Sequence, residues 1–268
     1  MQGSICRYFL VWVRRIKMTR GIYTAATGMH VQRERMDIVT NNIVNAETTG
    51  FKSDSLITQT FDEVMLERIN DPNISINGTD AGGYSFGTHV SEKVTDFATG
   101  SLEQTYLSTD LAIDGNGFFV IETEAGERFT KNGNFLVNSQ GYLVTSDGNY
   151  VLGENGRIMV GSSSFQVAYN GRVTGAEAIE DTLRIVTFED NAVLRKQGDN
   201  LYYGYDGAQP IEDNTSIVRQ GFQENSNVNV ANEMVELLTL YRKYEANQKA
   251  VTMNDETIGM AASKIGSL

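Results

Sequence analysis

The sequence predicts an α+β protein in which long N- and C-terminal helices form a coiled coil, with a central all-β domain between them. Apolar residues recur every seven positions near both ends of the chain, which is the spacing of a helical stripe. In the middle, short β-rich runs alternate with turn dipeptides, and 19 of the 26 glycines lie between Gly82 and Gly221. These two periodicities place the helices at the ends of the chain and the strands in its middle.

An N-terminal helix is predicted over residues 18–50. Its heptad stripe consists of Ile22, Met29, Met36 and Ile43, with Ala25, Gln32 and Val39 between them. Asn45 and Gly50 mark its end, because glycine readily adopts the left-handed conformation that stops a helix.

Residues 51–83 are predicted to be a connecting segment and linker. Phe61, Met65 and Ile69 are spaced by four residues, which indicates a short helical stretch. The Asp71-Pro72 dipeptide ends this stretch, since proline opposes helix. The polar, glycine-rich run that follows has the composition of a linker.

A β-rich domain is predicted over residues 84–223. The expected strands are Phe118 to Ile121, Phe135 to Val137, Tyr150 to Leu152, Phe165 to Tyr169 and an alternating run from Leu183 to Phe188. Asn132-Gly133, Asn155-Gly156 and Asn170-Gly171 are strong signals for hairpin turns. Strands at this spacing predict a sandwich or barrel. Because no βαβ spacing occurs, a parallel doubly wound sheet is disfavoured.

A long C-terminal helix is predicted over residues 224–268, capped by Asn227 or Asn229. One heptad position is occupied by Val230, Leu237, Tyr244, Val251, Ile258 and Ile265, and the other by Met234, Tyr241, Gln248, Asp255 and Ala262. The stripe packs either on the chain's own core or against the N-terminal helix or other subunits. The length of the helix favours the second alternative, since globular helices are usually about a third as long.

Composition excludes several classes of function. A formal charge of −12 is wrong for a nucleic-acid partner, which requires a basic surface. No apolar run is long enough for an integral membrane segment. His30 and His89 lack neighbours at ligand spacing, so we expect no metal site and no cofactor. Glu122/Glu124 and Glu189/Asp190 are pairs typical of acidic surfaces, and no catalytic constellation is recognisable.

Residues 1–17 form a doubtful N-terminal extension. They carry the single cysteine, the single tryptophan, four basic residues and no acid. The codons of Arg14-Arg15-Ile16-Lys17 could contain a ribosome-binding site ahead of Met18, so we expect translation to begin at Met18. A genuine disordered extension and a targeting segment are the two alternatives.

Four motifs in order resemble those of the flagellar rod and hook axial protein family. They are Asn41-Asn42-Ile43-Val44-Asn45-Ala46-Glu47-Thr48-Thr49-Gly50-Phe51-Lys52, Asp110-Leu111-Ala112-Ile113-Asp114-Gly115-Asn116-Gly117-Phe118-Phe119, Arg128-Phe129-Thr130-Lys131-Asn132-Gly133-Asn134-Phe135 with Gly141-Tyr142-Leu143-Val144, and a C-terminal segment from Ser226 to Ala250. Val44 departs from the alanine usual in the family. Together the motifs cover most of residues 18–268.

The resemblance implies a non-enzymatic, distal-rod-like subunit of the flagellar basal body. Such a subunit is exported by the flagellar type III apparatus and polymerises into a rigid helical tube that transmits torque to the hook. The implied partners are further copies of the chain, other rod subunits, hook subunits and the export apparatus. The residues then expected at the assembly interface are Ile22, Met29, Met36, Asn41, Asn42, Ile43, Asn45, Gly50, Phe51, Val230, Met234, Leu237, Tyr241, Tyr244, Val251 and Ile258.

Two other functions fit parts of the pattern. A secreted β-rich hydrolase of an envelope polymer would need a carboxylate pair in a cleft of the β-rich domain. A non-flagellar or phage-tail fibre protein would share the helices and the strands but not the cellular setting.

Overall fold

The structure is a computed structural model that describes residues 3–62, 64–67, 80–175, 180–198, 200–205, 208–213 and 215–266. Two long helices stand at the two ends of the chain, and the strands lie between them in the sequence. The helices are α1 (Gly3–Val44) and α2 (Val230–Gly266). No helix in these described ranges is long and apolar enough to cross a membrane.

The chain divides into two compact units. The helical unit contains residues 1–41, 55–94 and 231–268, and the β-rich unit contains residues 42–54 and 95–230. This division differs from the sequence prediction, because residues 84–94 group with the helices and residues 42–54 group with the strands. We use these two names for the units below.

Two strand pairs accompany the helices in the helical unit. Their strands are β1 (Asp54–Thr60), β2 (Val64–Glu67), β3 (Asp80–Tyr84) and β4 (Thr88–Thr95), with β1 beside β4 and β2 beside β3. The short helix predicted from Phe61, Met65 and Ile69 is therefore wrong, since Met65 lies in β2. Ile69 and the predicted linker from 70 to 79 lie outside the described residues.

The β-rich unit holds the remaining strands. They are β5 (Leu102–Gln104), β6 (Leu111–Asp114), β7 (Phe118–Thr123), β8 (Gly126–Thr130), β9 (Phe135–Val137), β10 (Leu143–Thr145), β11 (Tyr150–Gly153), β12 (Gly156–Arg157), β13 (Gln166–Val167), β14 (Arg172–Thr174), β15 (Glu180–Thr182), β16 (Ile185–Thr187), β17 (Leu194–Gly198), β18 (Leu201–Gly204), β19 (Ile211–Glu212), β20 (Ile217–Gln220) and β21 (Phe222–Glu224). A 3₁₀ turn, Asn191–Val193, precedes β17.

One large sheet dominates this unit, in the order β17-β18-β8-β7-β11-β10-β9, with β16 also beside β7. The register is antiparallel along the whole path. Smaller groups are β13-β14-β15, β6 with β20, and β5 with β21. The absence of βαβ units in the sequence therefore gave the correct direction of pairing.

Strand β7 separates two cores. Its side chains alternate between faces, as the strand period of two requires. Phe119 and Ile121 pack in one cluster with Leu111, Phe135 and Leu143, among others. Phe118 and Val120 pack in the other, whose remaining buried members are Phe129, Val186, Phe188, Leu194 and Tyr202. Because both faces of β7 are buried, the strand carries an uninterrupted apolar run from Phe118 to Ile121.

The end of α1 and the start of α2 agree with their sequence signals, whereas α1 begins at Gly3 and not at the predicted residue 18. Helix α1 stops at Val44, and Gly50 has a φ of +66°, as predicted from its glycine. Helix α2 begins directly after Asn229 and has Glu233 in its first turn and Lys264 in its last. Each of these charges faces the end of the helix dipole that stabilises it.

Two of the three predicted hairpins form. Asn155 lies in the turn between β11 and β12, and Gly156 begins β12. Residues 170–171 lie at the turn between β13 and β14. The Asn132-Gly133 hairpin is wrong, because β8 pairs with β7 and β18 whereas β9 pairs with β10. Gly133 serves a close approach instead, since a Cβ there would lie 1.5 Å from the Leu111 carbonyl oxygen.

A substitution at Gly133 tests this close approach. Gly133→Ala is expected to lower the free energy of unfolding by about 3 kcal/mol, because the methyl group collides with backbone that cannot yield. Urea denaturation of the full chain measures the loss. Gly148→Ala is the control: its Cβ meets open space but its φ of +84° disfavours a side chain, so we expect a loss of about 1 kcal/mol. Equal losses would contradict the interpretation.

Candidate assembly site

The predicted stripe of α1 is half-buried within its own chain. Ile22, Met29, Met36 and Ile43 are partly exposed, and among residues 21–44 the most buried apolar side chains are Ala25, Val31 and Val39. Arg35 donates a hydrogen bond to the Thr58 hydroxyl of β1 at 3.1 Å. Tyr23 makes an edge-on contact with Phe86, the two ring centroids lying 6.2 Å apart.

Only one of the two predicted heptad positions of α2 is covered in the chain. Val230, Leu237, Tyr244, Val251 and Ile258 are partly buried, whereas Met234 and Tyr241 are 51% and 55% exposed. The position that shares the covered face comes one residue before the predicted one. Its members are Glu233, Leu240, Asn247, Asn254 and Ala261, of which Leu240 is fully buried. The sequence prediction selected the series with Met234 and Tyr241 because it is more apolar. In the structure, the covered series is the one with smaller and more polar side chains, such as Asn247 and Asn254.

Two glycines of α1 explain why the more polar series of α2 is the one covered. A Cβ added at Gly28 would lie 3.0 Å from the Asn247 amide nitrogen, and one added at Gly21 would lie 3.5 Å from that of Asn254. Each glycine therefore leaves room for an asparagine of α2. The two contacts are seven residues apart on both helices and run in opposite directions along them.

The second part of the candidate site is the segment Asn42–Asp54, which we call the strap. Asn42 and Asp54 close it with two reciprocal hydrogen bonds: the Asn42 amide donates to the Asp54 carbonyl at 2.9 Å, and the Asp54 N–H donates to Asn42 Oδ1 at 3.0 Å. Asn42, Gly50 and Phe51 are buried by their own chain, Asn45 is partly exposed, and Asn41 is exposed in the helical unit.

A buried ion pair fastens the strap to the β-rich unit. The Lys52 ammonium donates to Glu224 Oε1 at 2.5 Å and to the Ala98 carbonyl at 2.7 Å, and both charged side chains are almost inaccessible to solvent. The Gly100 N–H donates to the same carboxylate oxygen at 2.9 Å. A buried charge is tolerated only with such partners, so Lys52 and Glu224 depend on each other.

A second lysine repeats the arrangement on the other side of the strap. Lys196, on β17, forms an ion pair with Asp54 at 3.0 Å and donates a hydrogen bond to the Lys52 carbonyl. Its ammonium lies 4.1 Å from the centroid of the Phe51 ring, within reach of a cation–π interaction.

Asparagines complete the anchoring of the strap. The Asn200 amide donates to the Thr49 carbonyl, the Thr49 hydroxyl donates to Asn132 Oδ1, and the Ser53 N–H donates to Asn227 Oδ1. Asn227, which the sequence suggested as a helix cap, thus binds the strap.

A third lysine lies buried nearby in the β-rich unit without a carboxylate at bonding distance in the structure's described part. The Lys131 ammonium donates to the Gly115 carbonyl at 2.5 Å and lies 5.5 Å from the Phe118 ring centroid. Burial lowers the pKa of Lys131 to about 8, and the Glu224 carboxylate opposes this shift. Burial also raises the pKa of the Tyr202 phenol.

The strap network could not be found from the sequence as a site. Lys52 and Lys131 stand in recognised motifs, but Asp54, Lys196 and Glu224 carried no signal, because their partners are far apart in the chain. The one available clue is that a lysine within an otherwise apolar or turn-forming motif must reach a carboxylate when it is buried.

Two carboxylates in a cleft of the β-rich unit form ion pairs with arginines. An open cleft in the β-rich unit is lined by Glu122, Glu127, Arg157 and Arg184, among others. Arg157 donates to Glu122 at 2.6 Å and Arg184 to Glu127 at 3.0 Å. The hydrogen bond from Arg157 lowers the pKa of Glu122, opposite to the shift that a general acid requires. Among the described residues, no group of three or more His, Cys, Asp and Glu side chains could hold a metal ion.

Comparisons with known proteins match three parts of the chain. The family described as "Flagella basal body rod protein" matches residues 22–52, "Flagellar hook protein FlgE/F/G D1 domain" matches 112–175, and "Flagellar basal body rod FlgEFG protein C-terminal" matches 219–264. The first contains the strap except for Ser53 and Asp54, and the third contains Glu224.

Whole-length relatives agree with these matches. The chain is 33% identical to the flagellar basal-body rod protein FlgG of Bacillus subtilis, over 90% of this chain and 97% of the relative. It is 32% identical to FlgG of Borreliella burgdorferi, over 91% and 98%. It is 31% identical to the flagellar hook-basal body complex protein FlhO of Bacillus subtilis, over 94% and 100%.

Breaking the buried ion pair should destabilise the β-rich unit. Glu224→Ala leaves the Lys52 ammonium buried without its counter-ion, so we expect the free energy of unfolding to fall by about 3 to 5 kcal/mol. The double variant Lys52→Met, Glu224→Leu removes both charges and should recover most of the loss. Chemical denaturation measures all three proteins. Glu122→Ala, which removes the carboxylate of an exposed pair, is the control and should cause no measurable change. A mild effect of Glu224→Ala would show that the pair is dispensable.

The lowered pKa of Lys131 predicts how stability depends on pH. The folded chain holds this proton less tightly than the unfolded chain, whose lysine has an ordinary pKa near 10.5. Stability therefore increases as the pH rises above 8, by about 1.5 kcal/mol up to about pH 9.5. Above about pH 10 the raised pKa of Tyr202 acts in the opposite direction. Denaturation across this range should show the increase in the native chain and not in Lys131→Met. A parallel profile in the variant would exclude Lys131 as its source.

Proposed function

The chain belongs to the flagellar basal-body rod protein family, and from that membership we propose that it polymerises through an exposed apolar stripe on α2. It is a structural subunit of the rod and is located in the flagellar basal body. As a member of this family, it assembles with other rod and hook components of the basal body.

The observation that carries the proposal is the outer stripe of α2, formed by Met234, Val235, Leu238 and Tyr241. All four side chains are more than half exposed. At about 100° per residue, Met234, Leu238 and Tyr241 lie on one line along the helix, about a quarter-turn from the covered face that holds Leu237 and Leu240. An apolar line that its own chain leaves uncovered is what a second subunit would bury.

The covered face supports a second part of the proposal, that α1 and α2 pair as an antiparallel coiled coil. Gly21 with Asn254 and Gly28 with Asn247 repeat at the heptad interval on both helices. Polar residues at core positions of a coiled coil favour one register at some cost in stability. The Gly–Asn contacts would therefore select the register, while Ile22, Met29, Leu237, Tyr244 and Val251 supply the apolar area.

The two units would then have different tasks. We assign assembly to the helical stretches near residues 18–50 and 224–268, and a rigid support for the strap to the β-rich unit. Many long helices packed in parallel would make the tube stiff and able to transmit torque to the hook. Delivery by the flagellar type III export apparatus belongs to the same proposal. A rod subunit needs no catalytic activity for any of these tasks.

Substitutions on the outer stripe test the proposal. Leu238→Asp places a carboxylate where an apolar contact is expected, so assembly should fail while the monomer keeps its melting temperature, since Leu238 is 61% exposed. Motility and electron microscopy of rods give the assembly readout, and circular dichroism gives the stability.

The control is Lys243→Asp, an exposed change on the opposite side of α2, which should permit assembly. Leu240→Asp should instead disrupt the helical unit, because that side chain is 1% exposed. Normal rods from the Leu238→Asp variant would refute the stripe as an interface.

A further inference from the structure

The loop before β6 holds a tyrosine in a backbone conformation that tyrosine disfavours. Tyr106 has a φ of +61°, and Asn200 is the one other non-glycine residue with a positive φ in the described ranges. Asparagine tolerates this left-handed region, whereas a bulky side chain does so at a cost. Residues held in this way persist only where the surroundings enforce the conformation, and they are concentrated at functional surfaces.

The surroundings of Tyr106 do enforce it. The N–H groups of Thr105 and Tyr106 both donate to the Gly221 carbonyl, at 2.8 and 3.3 Å. The Thr105 hydroxyl donates to Asp110 Oδ2 at 2.6 Å, and the Gly221 N–H donates to the Asp110 carbonyl at 2.8 Å. Because Asp110 is 1% exposed, this loop is fixed to the interior of the β-rich unit.

Packing within the chain does not account for the ring. Tyr106 is 82% exposed, and the neighbouring Leu107 is 58% exposed. The loop therefore presents an aromatic and an aliphatic side chain to solvent on a rigid support. A rigid support lowers the entropy lost when such side chains are buried by a partner.

The segments that form the surface around this loop carry no net charge, and the exposed Glu103 and Asp114 border them. These segments are residues 104–113, 158–171 and 215–223, whose only charged residues are Asp110, which is buried, and Arg219, which binds Asp114 at 2.7 Å. The formal charge of these segments is zero in a chain whose formal charge is −12. We call this surface the neutral face.

Hydrogen bonds join the three segments into one surface. Gln220 Nε2 donates to the Ser108 carbonyl at 2.7 Å and to the Phe165 carbonyl at 2.9 Å. The Val218 N–H donates to the Tyr169 carbonyl at 3.0 Å. Tyr169 and Ile217, both exposed, add to the apolar side chains that the face presents.

We propose that the neutral face is a contact surface for a second copy of this chain within the rod. Two acidic copies repel each other, and the repulsion is weaker wherever one of the two contacting surfaces carries no net charge. A basic partner would be attracted to the acidic surface instead, so neutrality with exposed apolar side chains favours a partner of like charge. A contact between this face and a different surface of the next copy repeats without closing, as a helical filament requires.

This inference rests on the proposed function, because it adds a second contact to the same polymer. The test uses the full-length chain and measures association by sedimentation velocity and by the length of filaments grown from seeds. Tyr106→Gly removes the ring and relieves the strained backbone. We expect its melting temperature to stay the same or rise, and its association to weaken by at least about tenfold, as for a central interface tyrosine.

Two further variants sharpen the result. Tyr106→Phe keeps the ring and should associate like the native chain, whereas Leu107→Asp brings charge to the neutral face and should weaken association. Tyr205→Ser is the matched control, since Tyr205 is 58% exposed and lies outside the face; it should associate normally. A stabilised Tyr106→Gly chain that no longer associates cannot be explained by damage to the fold.

The outcomes separate the two proposals. Native association of both Tyr106→Gly and Leu107→Asp, with failure of Leu238→Asp, would overturn the neutral face and leave the proposed function standing. Native association of all three would refute the α2 stripe as well. If the Tyr106→Gly chain polymerises normally but its rods fail to bind another basal-body component in cells, the partner is not a second copy and the inference is wrong.

Discussion

The buried ammonium of Lys52 is the constraint on which the arrangement of the β-rich unit depends. An unpaired charge in that position would be intolerable, so the carboxylate of Glu224, the Ala98 carbonyl and the Gly100 N–H must converge there. Their convergence fixes the end of β21 against the strap. Lys196 and Asp54 hold the other side of the strap. Two ion pairs, in which only Lys196 is partly exposed, thus hold the strap in place.

The sequence predicted what local periodicity and turn chemistry control. The two helices, the end of α1, the start of α2, the left-handed Gly50 and the central strands follow from spacing. The family motifs placed Lys52 and Lys131 within recognised segments. It did not predict that Gly133 packs against Leu111, because the Asn-Gly signal describes a turn and says nothing of a distant carbonyl. The ion pairs were missed for the same physical reason, since Glu224 is 172 residues from Lys52.

One of the two predicted heptad positions of α2 is covered within the chain, and the other is not. Counting apolar residues favoured Met234 and Tyr241, yet the covered positions belong to Leu240, Asn247 and Asn254. Which series of α2 is covered depends on α1, because Gly21 and Gly28 leave room for asparagines of α2. The sequence of either helix alone does not show which residues of the other helix these glycines face. Apolar residues that this packing leaves outside are those available for other subunits. Packing within the chain and the proposed packing between subunits therefore use different faces of α2.

The separation of Lys52 and Glu224 along the chain also has a kinetic meaning. Contacts between residues so far apart form late, because the entropy cost of closing a long loop comes before the favourable interaction of the ion pair. A chain that emerges N-terminus first has Lys52 exposed and hydrated until nearly the whole β-rich unit has followed. Residues 42–54 cannot be locked before then. The ion pair therefore makes the folding of the strap depend on the rest of the chain. The strap becomes rigid only after the polypeptide has emerged as far as Glu224, shortly before α2.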